Sequence, residues 1–209
     1  VPAEAIYTSA LAMATWVYDK GYRKVLALGE EALTEALDAA GLEVVDRRLG
    51  VDAVSRSAAA PDCIVIGELR RLDYPLLCSV VEYAAAGVPV VGTNPDHIIP
   101  NESGIDIGCG SVVAMLERAS GTKAVFVGKP TPAMFETAIA RLGLSRESVV
   151  IIGDSMDTDI LGAHKLGVRS VLVLSGVSTA EDSNNRPYRP DWVVEHAGEV
   201  IDLLPELAG

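Results

Sequence analysis

The stretch Val149-Val150-Ile151-Ile152-Gly153-Asp154-Ser155-Met156-Asp157-Thr158-Asp159-Ile160 decides the fold. Four apolar residues in a row read as a strand buried on both faces, the mark of a parallel sheet. Glycine turns the chain, and an aspartate stands at the strand's carboxyl end, where open parallel sheets face their ligand crevice. Asp159 follows five residues on, near the start of the next helix. Two carboxylates at such an edge suit a hard cation such as Mg²⁺, which takes oxygen ligands and keeps several waters. Taken singly, Asp154 is as well explained by loop amides and Asp159 by a helix cap. The whole strand–Gly-Asp–Asp–helix array favours a site.

One strand upstream, Ala124-Val125-Phe126-Val127-Gly128-Lys129-Pro130-Thr131-Pro132 repeats the logic with a lysine. The prolines fix the exit into the next helix. Lys129 is expected at the same sheet edge as Asp154, where its charge would hold a phosphoryl oxygen and offset the carboxylates. By itself it is equally a surface lysine before a helix. Further upstream, Thr93-Asn94-Pro95-Asp96 offers hydrogen-bonding groups to a substrate, or merely turn chemistry.

Around these motifs, short β-branched runs alternate with amphipathic helical stretches, which predicts an α/β protein. Strands are expected at Lys24–Leu28, Cys63–Ile66, 88–91, 124–127, 149–152 and 170–174. Helices are expected at 10–18, capped by Thr8 or Ser9, and at 30–39. Asp73 should cap a helix that carries Pro75 in its first turn and runs to Gly87. Further helices are expected at 111–119, at Pro132–Leu142 behind Thr131, and at 158–166. The Gly/Asn/Pro-rich stretch 92–110 reads as a long functional loop beside a domain junction. The expected division is residues 1–20 with the core, an inserted α/β block at 21–105, and the rest of the core at 106–209.

The 209 residues carry a net charge of −12, which disfavours a nucleic-acid partner. No apolar run is long enough to cross a bilayer, so no membrane partner is expected. Cys63, Cys78 and Cys109 are odd in number and form no CxxC pair, so they read as reduced thiols of a cytoplasmic protein. His97, His164 and His196 share no spacing of metal ligands, and Met13, Met115 and Met134 read as core. No GxSxG, GxGxxG or P-loop is present. The chain opens with Val1 ahead of the apolar Ala5-Ile6-Tyr7, from which an absent N-terminal portion is expected.

Gly128-Lys129-Pro130 followed by Gly153-Asp154 and Thr158-Asp159 resembles the third and fourth motifs of the haloacid dehalogenase (HAD) superfamily. The finer resemblance is to its NagD-like phosphatases. It is carried also by Tyr7-Thr8-Ser9-Ala10, Val65-Ile66-Gly67-Glu68, Thr93-Asn94-Pro95-Asp96, Val173-Leu174-Ser175-Gly176-Val177-Ser178 and Arg189-Pro190-Asp191-Trp192. The resemblance implies a Rossmann-like three-layer parallel-sheet core with an inserted α/β cap domain. It implies a Mg²⁺-dependent phosphatase acting on small phosphorylated metabolites, nucleoside monophosphates or sugar phosphates among them, through an aspartyl-phosphate. By position, Lys129 would steady the phosphoryl group, Asp154 would bind the metal and Asp159 would stand behind it. Ser155, Met156, Asp157 and Thr158 would line the phosphate end of the pocket, and Asn94 and Asp96 would face the leaving group.

The family's nucleophile motif, DxDG, has no match here. The one DxD, Asp157-Thr158-Asp159, lies inside the metal motif. A non-catalytic protein of the same fold that binds a phosphorylated ligand or a partner is the alternative. Homo-oligomerisation is left open.

Overall fold

The computed structural model describes residues 1–45, 60–203 and 205. The chain divides into two compact units, Val1–Gly128 and Lys129–Gly209. Residues 46–59 of the expected cap block, and 204 and 206–209 of the expected core block, lie outside the described residues.

The first unit is built on five parallel strands: β1 (Lys24–Leu28), β2 (Glu43–Val45), β3 (Cys63–Ile66), β4 (Val90–Gly92) and β7 (Val125–Phe126). Their order is β2-β1-β3-β4-β7, a doubly wound arrangement in which the chain reverses direction across the sheet between β1 and β3. β1 and β3 run where expected because residues 25–28 and 63–66 are apolar throughout and buried on both faces. β4 starts later than expected, after Pro89, which has no N–H to give to a ladder.

Alternate residues of a strand point to opposite faces, and the packing follows that period. Leu26, Leu28, Ile64 and Ile66 meet Leu76, Val80 and Ala84 of α3 (Tyr74–Ala85) and Val112, Val113 and Leu116 of α4 (Cys109–Ser120). α1 (Ser9–Asp19) and α2 (Glu31–Ala39) pack against one another, burying Met13, Val17, Leu33 and Leu37. Two of the expected caps form, Thr8 Oγ1 accepting from the Leu11 N–H at 3.3 Å and Asp73 Oδ1 from the Leu76 N–H at 2.8 Å, whereas Thr131 heads Pro132–Leu142 without a side-chain cap bond.

The stretch 92–110, expected as a loop, contains an antiparallel hairpin, β5 (Ile98–Asn101) with β6 (Gly104–Ile107). The junction also differs from the expected one near residue 105. β7 pairs with β4, Val91 opposite Val125 and Gly92 opposite Phe126, so α4 and β7 belong with the first sheet. The segment 1–20, expected with the core, lies in the first unit through α1 on α2.

The second unit has three parallel strands in the order β10 (Trp192–Val194), β9 (Arg169–Val173), β8 (Val150–Gly153). On one side Ile139 of α5 (Pro132–Leu142) packs with Ile151, and with Ala163 and Leu166 of α6 (Leu161–Leu166). Gly162 lets the two helices close up, since a Cβ there would meet the Phe135 ring. A second cluster joins Met156, Ile160, Leu172 and Tyr188.

Among the described residues β8 pairs only with β9, so it is an edge strand, and Ile152 on it is 47% exposed. An uncharged apolar edge invites pairing with another chain, while the net charge of −12 opposes it over a Debye length of about 10 Å at 0.1 M salt. The chain is therefore expected to self-associate as salt is raised, and Ile152→Lys to suppress the association. Sedimentation velocity at low and high salt checks this; an unchanged salt response in the mutant would locate the contact elsewhere.

Candidate active site

Three carboxylates stand in six residues after β8, and each has a different partner. Asp159 is only 5% exposed. Its Oδ1 accepts from Lys129 Nζ at 2.7 Å, and its Oδ2 accepts from the Ser155 N–H at 3.2 Å and Thr158 Oγ1 at 3.5 Å. Gly153 makes the room, because a Cβ there would collide with the Asp159 carboxylate. The lysine of one motif and the second acid of the other thus form one partly buried ion pair.

Asp157 faces away from that pair. Arg186 grips it with a two-pronged fork, Nε to Oδ1 at 2.9 Å and a terminal nitrogen to Oδ2 at 2.7 Å. The Tyr188 hydroxyl donates to Oδ1 at 3.1 Å. The Arg186 fork holds the Asp157 carboxyl below its ordinary value, against an opposing effect of burial. Burial, then the hydrogen bond to Asp157, pushes the Tyr188 phenol up. The sign for stability follows: what the fork contributes is complete above the ordinary carboxylate value of 3.8 and fades as pH falls through the lowered folded value.

Among the described residues Asp154 has no cationic partner. Its Oδ2 accepts from the Val177 N–H at 3.0 Å, and its backbone carbonyl accepts from the Ser178 N–H at 2.9 Å. Gly176 sits against this carboxylate so closely that a Cβ would overlap it. The donor set fits a hard cation, which binds through one or two carboxylates and keeps waters and substrate oxygens for the rest. Among the described residues no group of three His, Cys, Asp or Glu forms a closed cation cage.

The turn that carries these groups is a single π-helical turn, Met156–Ile160, in place of the expected helix start. Ile160 N–H donates to the Ser155 carbonyl at 3.1 Å, and Ser155 Oγ accepts from the Thr158 N–H at 3.3 Å. Such turns occur often at functional sites. The Met156 N–H donates to Ser178 Oγ at 2.9 Å, but its side chain is 1% exposed inside the core. The Met156 side chain is therefore part of the core and not of the pocket lining expected of it.

Asn94 and Asp96 lie in the first unit. Asn94 Oδ1 accepts from the Asp96 N–H at 3.1 Å, which is the turn chemistry their spacing allowed; Asp96 is exposed. Arg186, Tyr188 and Gly176 were not singled out from the sequence. Gly176 stood in a quoted motif with no role, and nothing in the pattern of 183–189 marks Arg186.

The chain is similar to known proteins over most of its length. The HAD-hydrolase-like family model matches residues 126–200. The ribonucleotide monophosphatase NagD of Escherichia coli strain K12 is 33% identical over 204 residues, 98% of this chain and 75% of the relative. The solved p-nitrophenyl phosphatase of Archaeoglobus fulgidus is 30% identical with a TM-score of 0.83, over 97% of this chain and 76% of that one. The glycerol phosphate phosphatase of Mycobacterium tuberculosis, solved in complex with calcium, is 34% identical with a TM-score of 0.80, over 94% of this chain and 56% of that one. The chain belongs to the haloacid dehalogenase superfamily, in its NagD-like branch. Its relatives are phosphatases, and the α/β fold with parallel sheets is theirs.

Proposed function

We propose that this chain carries the lysine and metal-binding side of a Mg²⁺-dependent phosphomonoesterase acting on small phosphorylated metabolites. The observation that carries the reading is the division of charge after β8: Lys129 is paired with Asp159, while among the described residues no cation pairs with Asp154. A magnesium ion at Asp154 would act as a Lewis acid on a phosphoryl oxygen. Lys129, 41% exposed at its side chain, would turn its remaining N–H groups to the phosphoryl oxygens. Asp159 would keep the ammonium in place, with Ser155 and Thr158 shaping the turn between. The first unit would take the cap role and the second the core role.

The relatives' names, a ribonucleotide monophosphatase and a glycerol phosphate phosphatase, support nucleoside monophosphates and small polyol or sugar phosphates as the substrate class. The free thiols Cys63, Cys78 and Cys109 support a cytoplasmic, reducing location, and burial pushes Cys63 up to about 12. Among the described residues no helix is long and apolar enough to cross a membrane.

No aspartate of this sequence matches the expected nucleophile, and a covalent partner is what divides the hard step. The 209-residue chain is therefore expected to give no turnover of p-nitrophenyl phosphate with Mg²⁺. Turnover at about 1 s⁻¹ or more would locate a nucleophile among these residues. The second reading is a non-catalytic protein of the same fold that binds a phosphorylated ligand or a partner. ³¹P NMR titration with inorganic phosphate separates the two. Binding that needs Mg²⁺ and is lost in Lys129→Ala supports the enzyme site; binding indifferent to Mg²⁺ supports the binder.

A further inference from the structure

We propose that Arg186 is a positioning residue that selects which acid of the turn faces a cation. By gripping Asp157 it neutralises the competing carboxylate, holds the π-helical turn, and leaves Asp154 as the one acid of the three without a cationic partner among the described residues.

Three observations combine. The motif places Asp154, Asp157 and Asp159 within six residues, and like charges so close repel and compete for the same cation. Two of the three are answered by protein cations, Asp159 by Lys129 at 2.7 Å and Asp157 by the Arg186 fork at 2.7 and 2.9 Å. The fork is held ready by its own segment. The Arg189 guanidinium donates to the carbonyls of Ser183, Asn184 and Arg186, and Tyr188, only 8% exposed, stacks on His164 with ring centroids 5.6 Å apart. A guanidinium held in that way matches a carboxylate bidentately, which an ammonium cannot do.

The segment that carries Arg186 also reaches the other end of the turn. The Val177 N–H meets the Asp154 carboxylate, the Ser178 N–H meets the Asp154 carbonyl, and Ser178 Oγ receives the Met156 N–H. One downstream segment therefore grips the turn at Asp154 and at Asp157. The Asp157–Arg186 pair is open to solvent, with side chains 64% and 36% exposed, so its effect on global stability is small. Its consequences are local order and local charge.

The proposal rests on the metal reading of Asp154 for its charge arm and is independent of it for its order arm. The experiment uses the full 209-residue chain with Arg186→Gln, Arg186→Lys, Asp157→Asn and the double variant Arg186→Gln/Asp157→Asn. Amide exchange at Thr158, Asp159 and Ile160 reads the order of the turn, with exchange in β9 as the control for folding. Arg186→Gln and Asp157→Asn are each expected to cost roughly three- to ten-fold in protection at these amides, as loss of one exposed charged fork would. The double variant is expected to be no worse than either single, because both act through one contact. Additive losses, or none, would overturn the clamp.

Mn²⁺ binding, read by water proton relaxation, tests the charge. Arg186→Gln is expected to bind Mn²⁺ roughly three- to ten-fold more tightly, since an uncompensated carboxylate now stands nearby. Adding Asp157→Asn should remove that gain. Arg186→Lys should keep parental Mn²⁺ binding while losing protection, because it restores charge without the fork. Binding in Arg186→Gln that equals the parent, or a gain that survives Asp157→Asn, would overturn the selecting role. If Asp154→Asn fails to weaken parental binding, the metal reading fails instead, and the exchange data still judge the clamp.

Discussion

Replacing Lys129 with alanine is expected to destabilise the unit Lys129–Gly209 by about 2 kcal/mol. Asp159 is 5% exposed and receives the Lys129 ammonium at 2.7 Å. Removing one partner of a fully buried pair leaves an uncompensated charge and costs roughly 3–5 kcal/mol. Here the lysine side chain is 41% exposed, so water screens the pair and partly replaces the lost partner. The Ser155 N–H and Thr158 hydroxyl stay on the carboxylate and soften the loss further. For a unit of this size about 2 kcal/mol corresponds to a fall in Tm of roughly 10 °C. Asp159→Asn should cost less, because the stranded ammonium can swing into water. The double variant Lys129→Ala/Asp159→Asn should recover much of the loss, being free of a buried lone charge. Urea unfolding followed by amide exchange in β8 and β9 reads this unit separately from the first. A loss under about 0.5 kcal/mol in Lys129→Ala would mean that the carboxylate finds water or protonates, and that the pair does not hold the turn.

The fold was legible where burial is complete. β1 and β3 carry unbroken apolar runs, buried on both faces, and no other element accommodates such runs at that length. β2 and β10 are three residues each at sheet edges and too short to show a period. The hairpin β5–β6 is almost wholly exposed, so it has no buried face to produce alternation; its Gly, Asn and Pro content argued for a loop instead. α7 (Ala180–Asn184) is likewise short, though its capping box, Thr179 with Asp182, was a signal in the sequence.

The site was legible to the level of residue type and not of pairing. Strand–Gly-Asp and strand–Gly-Lys fix where a side chain leaves the sheet, but not which acid the lysine will meet thirty residues on. The sequence assigned Lys129 to a phosphoryl group, and the structure adds that one of its N–H groups is already committed to Asp159. Asp157 reads from sequence as one more pocket acid. Its partner Arg186 lies 29 residues downstream in a segment without periodicity, and that distance hides the difference between a free carboxylate and a neutralised one. Met156 shows the same limit: its position in the motif and its burial are decided by different neighbours, Ile160, Leu172 and Tyr188.

The second large effect is expected at Asp154. Asp154→Asn should weaken divalent-cation binding by about 30-fold. At roughly 4 Å in a water-like dielectric, one carboxylate contributes about 1 kcal/mol per unit of opposing charge, doubled for a divalent ion. The substitution keeps shape and the hydrogen bond from Val177, so the fold should be unaffected. Gly176→Ala should act by a different route. It leaves the charge in place, but the new Cβ would overlap the Asp154 carboxylate and force it off its present position. Binding should fall at least several-fold, accompanied by altered exchange at the Val177 and Ser178 amides, which now donate to Asp154. The double variant Arg186→Gln/Asp157→Asn serves as the control, since it removes both members of the pair and leaves the net charge beside Asp154 unchanged. Mn²⁺ titration of the three variants gives an ordering as well as a magnitude: Asp154→Asn weakest, Gly176→Ala intermediate, the double variant close to the parent. If the double variant weakens binding as much as Asp154→Asn, the cation sits between the two acids and not at Asp154. If Gly176→Ala binds like the parent, the carboxylate is free to move, and the glycine cradle has no part in presenting it.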